Sequence, residues 1–132
     1  MQIFLITKRI FMSNILVTGA EGQLGQCFRE VAKEFPVYNL FFVSKKNLDI
    51  TKKESLEKVF QRRSFDGIIN CAAYTDVDQA EIEFEKAYEI NEHGIQNLVT
   101  LAEKKKIFVV HFSTDHVFEG NERKQLKEED AT

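Results

Sequence analysis

From Asn14 to Phe35 the chain passes from a compact apolar run, through three glycines spaced three apart, into an amphipathic segment. Few folds accommodate that order. Asn14-Ile15-Leu16-Val17-Thr18 reads as a buried strand. Leu24, Phe28, Val31, Ala32 and Phe35 recur at helical spacing, and Pro36 ends the helix. Between the two, Gly19 suits a tight turn. Gly22 lets the backbone approach a ligand, and Gly25 permits close packing of helix on strand. The helix N-terminus then offers free amides and a partial positive charge to an anion such as a pyrophosphate. A glycine triplet can also be a tight turn and nothing more. Its place between strand and helix favours the binding turn, with Glu21, Gln23 and Leu24 at its rim.

The alternation continues downstream. Val37 to Val43 is rich in β-formers and predicts a second strand. Thr51-x-x-Glu54 has the pattern of a capping box, and Leu56, Val59 and Phe60 give the following short helix its apolar face. Gly67 to Cys71 predicts a third strand. Phe84 to Lys105 predicts a long helix, with Phe84, Ala87, Tyr88, Ile95, Leu98, Val99 and Ala102 on one stripe. Ile107 to Phe112 predicts a fourth strand, apolar enough to expect cover on both faces. Strands alternating with helices imply a parallel sheet covered on both sides. With right-handed crossovers, the expected order is second, first, third, fourth. The fold class is therefore α/β, a Rossmann-type doubly wound parallel sheet, of which the pattern supplies the N-terminal part.

The chain has 132 residues, about one domain. A formal net charge of -3, with lysines and glutamates interspersed, gives no basis for a nucleic-acid partner. No apolar run is long enough to span a membrane. Cys27 and Cys71 lack metal-ligand spacing and sit in apolar stretches, so both are expected as buried thiols in a reducing cytoplasm. Residues 1–12 read as an N-terminal extension, with Met12 as an alternative start. Their charges follow the apolar stretch instead of preceding it, unlike a signal peptide. Residues 13–132 form the expected nucleotide-binding domain, with a polar stretch from Gly120 onward.

Several further residues could carry chemistry, each with a plainer alternative. Ser44, Lys45 and Lys46 follow the second strand, where an acidic residue would bind a ribose hydroxyl. Cations there could accept a 2′-phosphate; equally, they could be solvated loop. Asp49 could take an adenine amino group with Ile50 against the ring, or be a turn residue. The small residues of Asn70-Cys71-Ala72-Ala73-Tyr74-Thr75 leave the third strand where open α/β sheets bind ligands, or simply pack closely. Ser113-Thr114-Asp115 follows the fourth strand and could polarise a carbonyl, or be a polar turn. His93, His111 and His116 share no metal spacing, and His111 reads as structural. Asp76, Asp78, Glu81, Glu83 and Glu85 read as a solvated face.

Together these segments resemble the dTDP-4-dehydrorhamnose reductases, within the extended short-chain dehydrogenase/reductases. The resemblance lies in Ile15 to Gly25, Leu48-Asp49-Ile50-Thr51, the run Asn70 to Glu81, Ile90-Asn91, and most specifically Phe112-Ser113-Thr114-Asp115-His116-Val117-Phe118-Glu119-Gly120. It covers residues 13–132. It implies reduction of a dTDP-4-dehydro sugar with NADPH or NADH, in the cytoplasm, by a protein that could form a homodimer. The cofactor would meet Gly19, Glu21, Gly22, Gln23, Leu24, Gly25, Ser44, Lys45, Asp49, Ile50, Ala72, Ala73, Tyr74 and Asn91. Thr114 would supply the hydroxyl of the Thr/Ser-Tyr-Lys catalytic set, with Asp115 and His116 on the substrate side. No metal is implied. Two departures stand out. His116 occupies a position where the family usually has tyrosine, and the 132 residues contain no Tyr-x-x-x-Lys. The chain alone is therefore expected to lack turnover. A noncatalytic nucleotide-binding or regulatory subunit, or an inactive truncated product, is the alternative.

Overall fold

The computed structural model describes residues 13–113. The extension at residues 1–12, the candidates Thr114, Asp115 and His116, and the polar stretch from Gly120 lie outside the described residues.

Four parallel strands form one sheet in the order β2-β1-β3-β4, as the crossover argument requires. They are β1 (Ser13–Thr18), β2 (Tyr38–Phe42), β3 (Gly67–Asn70) and β4 (Phe108–His111). The helices are α1 (Gln23–Val31), α2 (Lys53–Arg62), α3 (Val77–Ile82), α4 (Phe84–Tyr88) and α5 (Gly94–Lys105). A single 3-10 turn, Ala32–Glu34, follows α1. Every strand delivers its chain to the same end of the sheet. The register aligns Thr18 with Asn70 and Asn70 with His111 there.

The main core lies on the sheet face that α2 and α5 cover. Leu16 and Ile68 from the strands meet Leu56 and Phe60 of α2 and Leu98, Leu101 and Ala102 of α5. Leu48, Ile50 and Phe65 complete it from the connections. Burying side chains of this size stabilises the fold by ~1.5–3 kcal/mol each. The opposite face has less cover. Arg29 of α1 lies over the Phe42 ring at 4.5 Å, and Phe28 meets Phe112 at 5.8 Å. Leu24, Val31 and Phe35, expected on the buried stripe of α1, are exposed. Only Gly25 is buried in that helix, because it alone sits where helix and strand touch. Cover for β4 is also one-sided. Val109 packs on the core, while Phe108 and Val110 are largely exposed on the other face.

Three other expectations need correction. The capping box at Thr51 does not form. Helix α2 starts after Lys52 with no side-chain cap, and Thr51 instead donates both its amide, at 3.1 Å, and its hydroxyl, at 2.8 Å, to Asp49 Oδ1. Asp49 accepts both Thr51 donors in a turn that closes ahead of the helix, so Lys52 and not Thr51 stands at the N-cap. Cys27 is exposed, not buried, because α1 turns it away from the sheet. The long helix exists but is not uniform. Its turn Glu89–His93 is π-helical, joining α4 to α5. Ala87, Gly94, Leu98, Leu101 and Ala102 are buried, whereas Phe84, Tyr88 and Val99 stay exposed. The apolar stripe is wider than the strip the sheet covers, and Phe84 stacks on Tyr88 at 6.0 Å instead.

Candidate functional site

The three glycines of the first turn are distinguished by what a Cβ would meet at each. Gly19 has φ +64°, and a Cβ there would lie 2.5 Å from Ala72 N and from the Cys71 carbonyl carbon. A Cβ on Gly25 would lie 2.4 Å from Gly19 O and 2.8 Å from Ala20 Cα. Both positions are forced by backbone against backbone. Gly22 is different. Its φ is -73°, and a Cβ would make only an ordinary 3.4 Å contact with Gly19 O. Among the described residues, nothing requires glycine there. Gly22 is also the N-cap of α1, whose end carries no side-chain cap. The first amides of that helix have no intrahelical acceptor and carry the positive end of its dipole.

Gly22 opens into a cavity of about 280 Å³ at the carboxyl ends of the strands. Three segments meet there: Gly19, Glu21 and Gly22 after β1; Lys45, Leu48, Asp49 and Ile50 after β2; and Cys71, Ala72, Ala73 and Tyr74 after β3. Lys86 of α4 and Ile90 of the π turn close the wall. Thus Gly19, Glu21, Gly22, Lys45, Asp49, Ile50, Ala72, Ala73 and Tyr74, which the sequence nominates from separate motifs, come together in one cleft. Gln23, Leu24, Gly25, Ser44 and Asn91 do not line it. Ser44 shapes the β2 exit through its carbonyl, which accepts from the amides of Asn47 and Leu48.

Asn91 works from behind the wall. Its Oδ1 accepts from the Tyr74 amide at 2.8 Å, and its Nδ2 donates to the Tyr74 carbonyl at 3.0 Å. Both backbone groups of Tyr74 are thereby fixed by one side chain. The π turn that carries Asn91 also carries Ile90, and such turns are often found at functional sites. The β2 exit is fixed in the same way. Asn97 Nδ2 donates to the carbonyls of Ile50 and Thr51 at 3.1 and 3.2 Å. Gly94 supplies the space Ile50 needs, since a Cβ there would lie 2.7 Å from the Ile50 Cδ1. Lys86, Gly94 and Asn97 do not stand out in the sequence, and Leu48, Cys71 and Ile90 do so only as members of the motifs that carry the resemblance. A glycine inside a helix costs about 1 kcal/mol against alanine, which was the available signal for Gly94.

A polar row, buried at Thr18 and Asn70 and exposed at His111, locks the β3 exit. Thr18 Oγ1 donates to Asn70 Oδ1 at 2.6 Å, and the Ala72 amide donates to the same oxygen at 3.2 Å. Asn70 Nδ2 donates to the Ala72 carbonyl at 3.2 Å and faces His111 Nδ1 at 3.1 Å. Asn70 is 2% exposed. With its orientation set by Thr18 and Ala72, Asn70 offers His111 a donor, so a neutral imidazole with a free Nδ1 matches it. Burial lowers the His111 pKa from its ordinary value, which favours the same form.

The cavity wall is mixed in charge. Partial burial opposes the Asp49 charge, but the hydrogen bonds from Thr51, aided by Lys45 and Lys52, hold its carboxyl below the usual range. Burial pushes the Cys71 thiol up to about 11, so this part of the wall is neutral. The hydrogen bond to Glu83, with burial and the charges of Glu83 and Asp76, pushes Tyr74 up to about 12. Glu83 and Asp76 therefore have structural partners and are more than solvated surface. Asp76 also caps α3, accepting from the Gln79 amide at 3.0 Å.

Residues 12–132 match the RmlD substrate binding domain family. The chain belongs to that family. Among relatives of the RmlD-type chain, dTDP-4-dehydrorhamnose reductase from Aggregatibacter actinomycetemcomitans is 38% identical over 119 residues, covering 90% of this chain and 40% of that protein. The spore coat polysaccharide biosynthesis protein SpsK of Bacillus subtilis (strain 168) is 39% identical over 121 residues, covering 90% of this chain and 42% of that one. The crystal structure of dTDP-4-dehydrorhamnose reductase from Bacillus anthracis str. Ames in complex with NADP superposes with a TM-score of 0.79 at 39% identity. That match covers 84% of this chain and 39% of the other. The chain spans about two fifths of the length of the relatives it matches. The likeness confirms the α/β Rossmann-type architecture.

Proposed function

We propose that residues 13–132 form the NAD(P)-binding domain of a dTDP-4-dehydrorhamnose reductase. The substrate would be a dTDP-4-dehydro sugar, reduced to dTDP-L-rhamnose in the cytoplasm. The observation that carries this reading is Gly22, a glycine that no neighbouring atom among the described residues requires, facing a cleft where three strand exits converge. The free amides of α1 suit a pyrophosphate, and Ile50 and Asp49 suit an adenine and its amino group. Ala72 and Ala73 leave room for a ribose against the backbone. The bound cofactor supplies a hydride. The chain's part is to hold and orient it, with its phosphates on α1 and its sugar along the β3 exit that Asn70 and Asn91 fix. By resemblance, Thr114 would supply the catalytic hydroxyl, with Asp115 and His116 on the substrate side. Two unpaired cysteines suit a reducing compartment. Among the described residues, no helix is long and apolar enough to cross a membrane. A homodimer, and the absence of nucleic-acid partners, belong to the same reading.

Calorimetric titration with NADPH and NADH tests the binding half. Wild type binds with ordinary heat of association. Gly22→Val, whose side chain enters the cleft, weakens both cofactors by about a hundredfold, the scale of a few kcal/mol. Equal affinity in wild type and variant would remove the site. The 132-residue chain, which contains no Tyr-x-x-x-Lys, binds without turning over.

Cofactor choice rests on Lys45, which lines the cleft, with Lys46 beside it. A 2′-phosphate placed there gains a charge-assisted partner. Lys45→Glu with Lys46→Glu should lower the NADPH-to-NADH affinity ratio by about tenfold, measured in the same titrations. An unmoved ratio would make both lysines solvated loop.

A further inference from the structure

Lys86 belongs to none of the motifs, yet it lines the same cleft as Gly19 and Gly22. Its Nζ lies 5.3 Å from the centroid of the Tyr74 ring and 2.7 Å from Glu83 Oε2. The same carboxylate oxygen accepts the Tyr74 hydroxyl at 2.6 Å. Glu83 itself is not on the cleft wall. One outer carboxylate thus holds two side chains of the wall, a cation and an aromatic ring. The ring cannot drift far, because Asn91 fixes the Tyr74 backbone on both sides.

The other charges of the wall are differently placed. Asp49 already accepts from Thr51 twice and has Lys52 at 3.9 Å. Glu21 is anionic and cannot favour a phosphate. Lys45 follows β2, at the end suited to the adenine-side ribose. Lys86 reaches the cleft from α4, on the side of Tyr74. Its present ion pair is half exposed, and pairs of that kind contribute only about 0–1 kcal/mol. A pyrophosphate carries more charge than one carboxylate and sits in a less hydrated place, where a charge-assisted hydrogen bond is stronger.

We propose that Lys86 is a pyrophosphate-binding residue of this cleft, held over Tyr74 by Glu83 and transferred to the anion when a dinucleotide binds. The inference rests on the dinucleotide reading and adds a cationic side chain to the phosphate site that the α1 amides provide. No covalent step is involved. The ammonium exchanges one anionic partner for another, and Glu83 keeps the Tyr74 hydroxyl.

The test uses the 132-residue chain and two probes, NADPH and ADP, titrated at 50 mM and 500 mM sodium chloride. Lys86→Gln keeps the stem and removes the charge. It should weaken both probes about tenfold at low salt, with the difference shrinking to about twofold at high salt as screening sets in. Lys86→Arg should restore most of the affinity. Wild-type affinity in Lys86→Gln would overturn the proposal and leave the dinucleotide reading standing. A loss that is equal at both salts, or that Lys86→Arg does not rescue, would mark a packing role and overturn it as well. If wild type binds neither probe, the dinucleotide reading itself fails and Lys86 with it.

Discussion

Gly19→Ala and Gly25→Ala should each cost about 3 kcal/mol or more of folding stability, while Gly22→Ala should cost less than about 1 kcal/mol. At Gly19 two penalties add. A left-handed residue with a side chain costs ~1–2 kcal/mol, and its Cβ would strike the backbone of Cys71 and Ala72 at 2.5 Å. Overpacking of that kind costs ~1–3 kcal/mol because neither partner is the free end of a side chain. Gly25 has no dihedral penalty of this sort, yet its Cβ would meet Gly19 O at 2.4 Å and Ala20 Cα at 2.8 Å. The helix would have to lift off β1, and the turn would open with it. Gly22→Ala meets only a 3.4 Å contact. Urea denaturation of the three variants measures the order. The idea fails if Gly22→Ala proves as costly as the other two, because Gly22 would then be a structural glycine and not a ligand-facing one.

Replacing Asn70 should produce the second large loss. Asn70→Ala removes the acceptor of the Thr18 hydroxyl and of the Ala72 amide, and the donor to the Ala72 carbonyl. Unsatisfied buried groups cost ~1–3 kcal/mol each, so a total of about 3 kcal/mol is expected even if water replaces one partner. Cofactor affinity should fall in the same variant, because Ala72 lines the cleft. The row also sets a pH response. His111 has a folded-state pKa below its ordinary value, so the folded state prefers the neutral ring. Its contribution to stability is complete above the unfolded value near 6.5. It is lost as pH falls through the lower folded value, because the unfolded chain takes the proton more readily. A protonated Nδ1 would also face the Asn70 amide donor. Thermal midpoints from pH 8 to 5 should therefore fall more steeply in wild type than in His111→Phe. Parallel curves would show that this ring does not titrate with folding.

Much of the fold was legible because its signals are local and repeated. Apolar runs, glycine spacing and helical periodicity were enough for four parallel strands and their order. The cleft residues on the three strand exits were legible for a related reason. A parallel sheet brings every such exit to one end, so motifs far apart in sequence must converge. What stayed hidden depends on competition or on partners distant in the chain. Thr51 has the pattern of a cap, but its amide and hydroxyl both turn back to Asp49 and the helix starts one residue later. Cys27 sits among apolar neighbours, yet it lies on an exposed side of α1. Lys86 looks like one more charge in an acidic, solvated stretch. Only the fold reveals that Tyr74 lies beneath it. Asn91 was legible as a site residue, but its role was not, since it acts on the Tyr74 backbone from 17 residues away.

The central position of β1 has a consequence for synthesis. It is the first strand to be made, yet both its neighbours come later, β2 ending at Phe42 and β3 at Asn70. From the completion of Thr18, the ribosome must add 52 more residues before the second ladder can close. At ordinary elongation rates of 5–20 residues per second, that is roughly 3–10 s. During this interval Ile15, Leu16 and Val17, among the most deeply buried residues of the finished molecule, have at most one neighbouring strand. The oldest strand therefore waits through two crossovers before both its edges are paired, and until the third strand emerges the nascent chain carries an unpaired apolar edge.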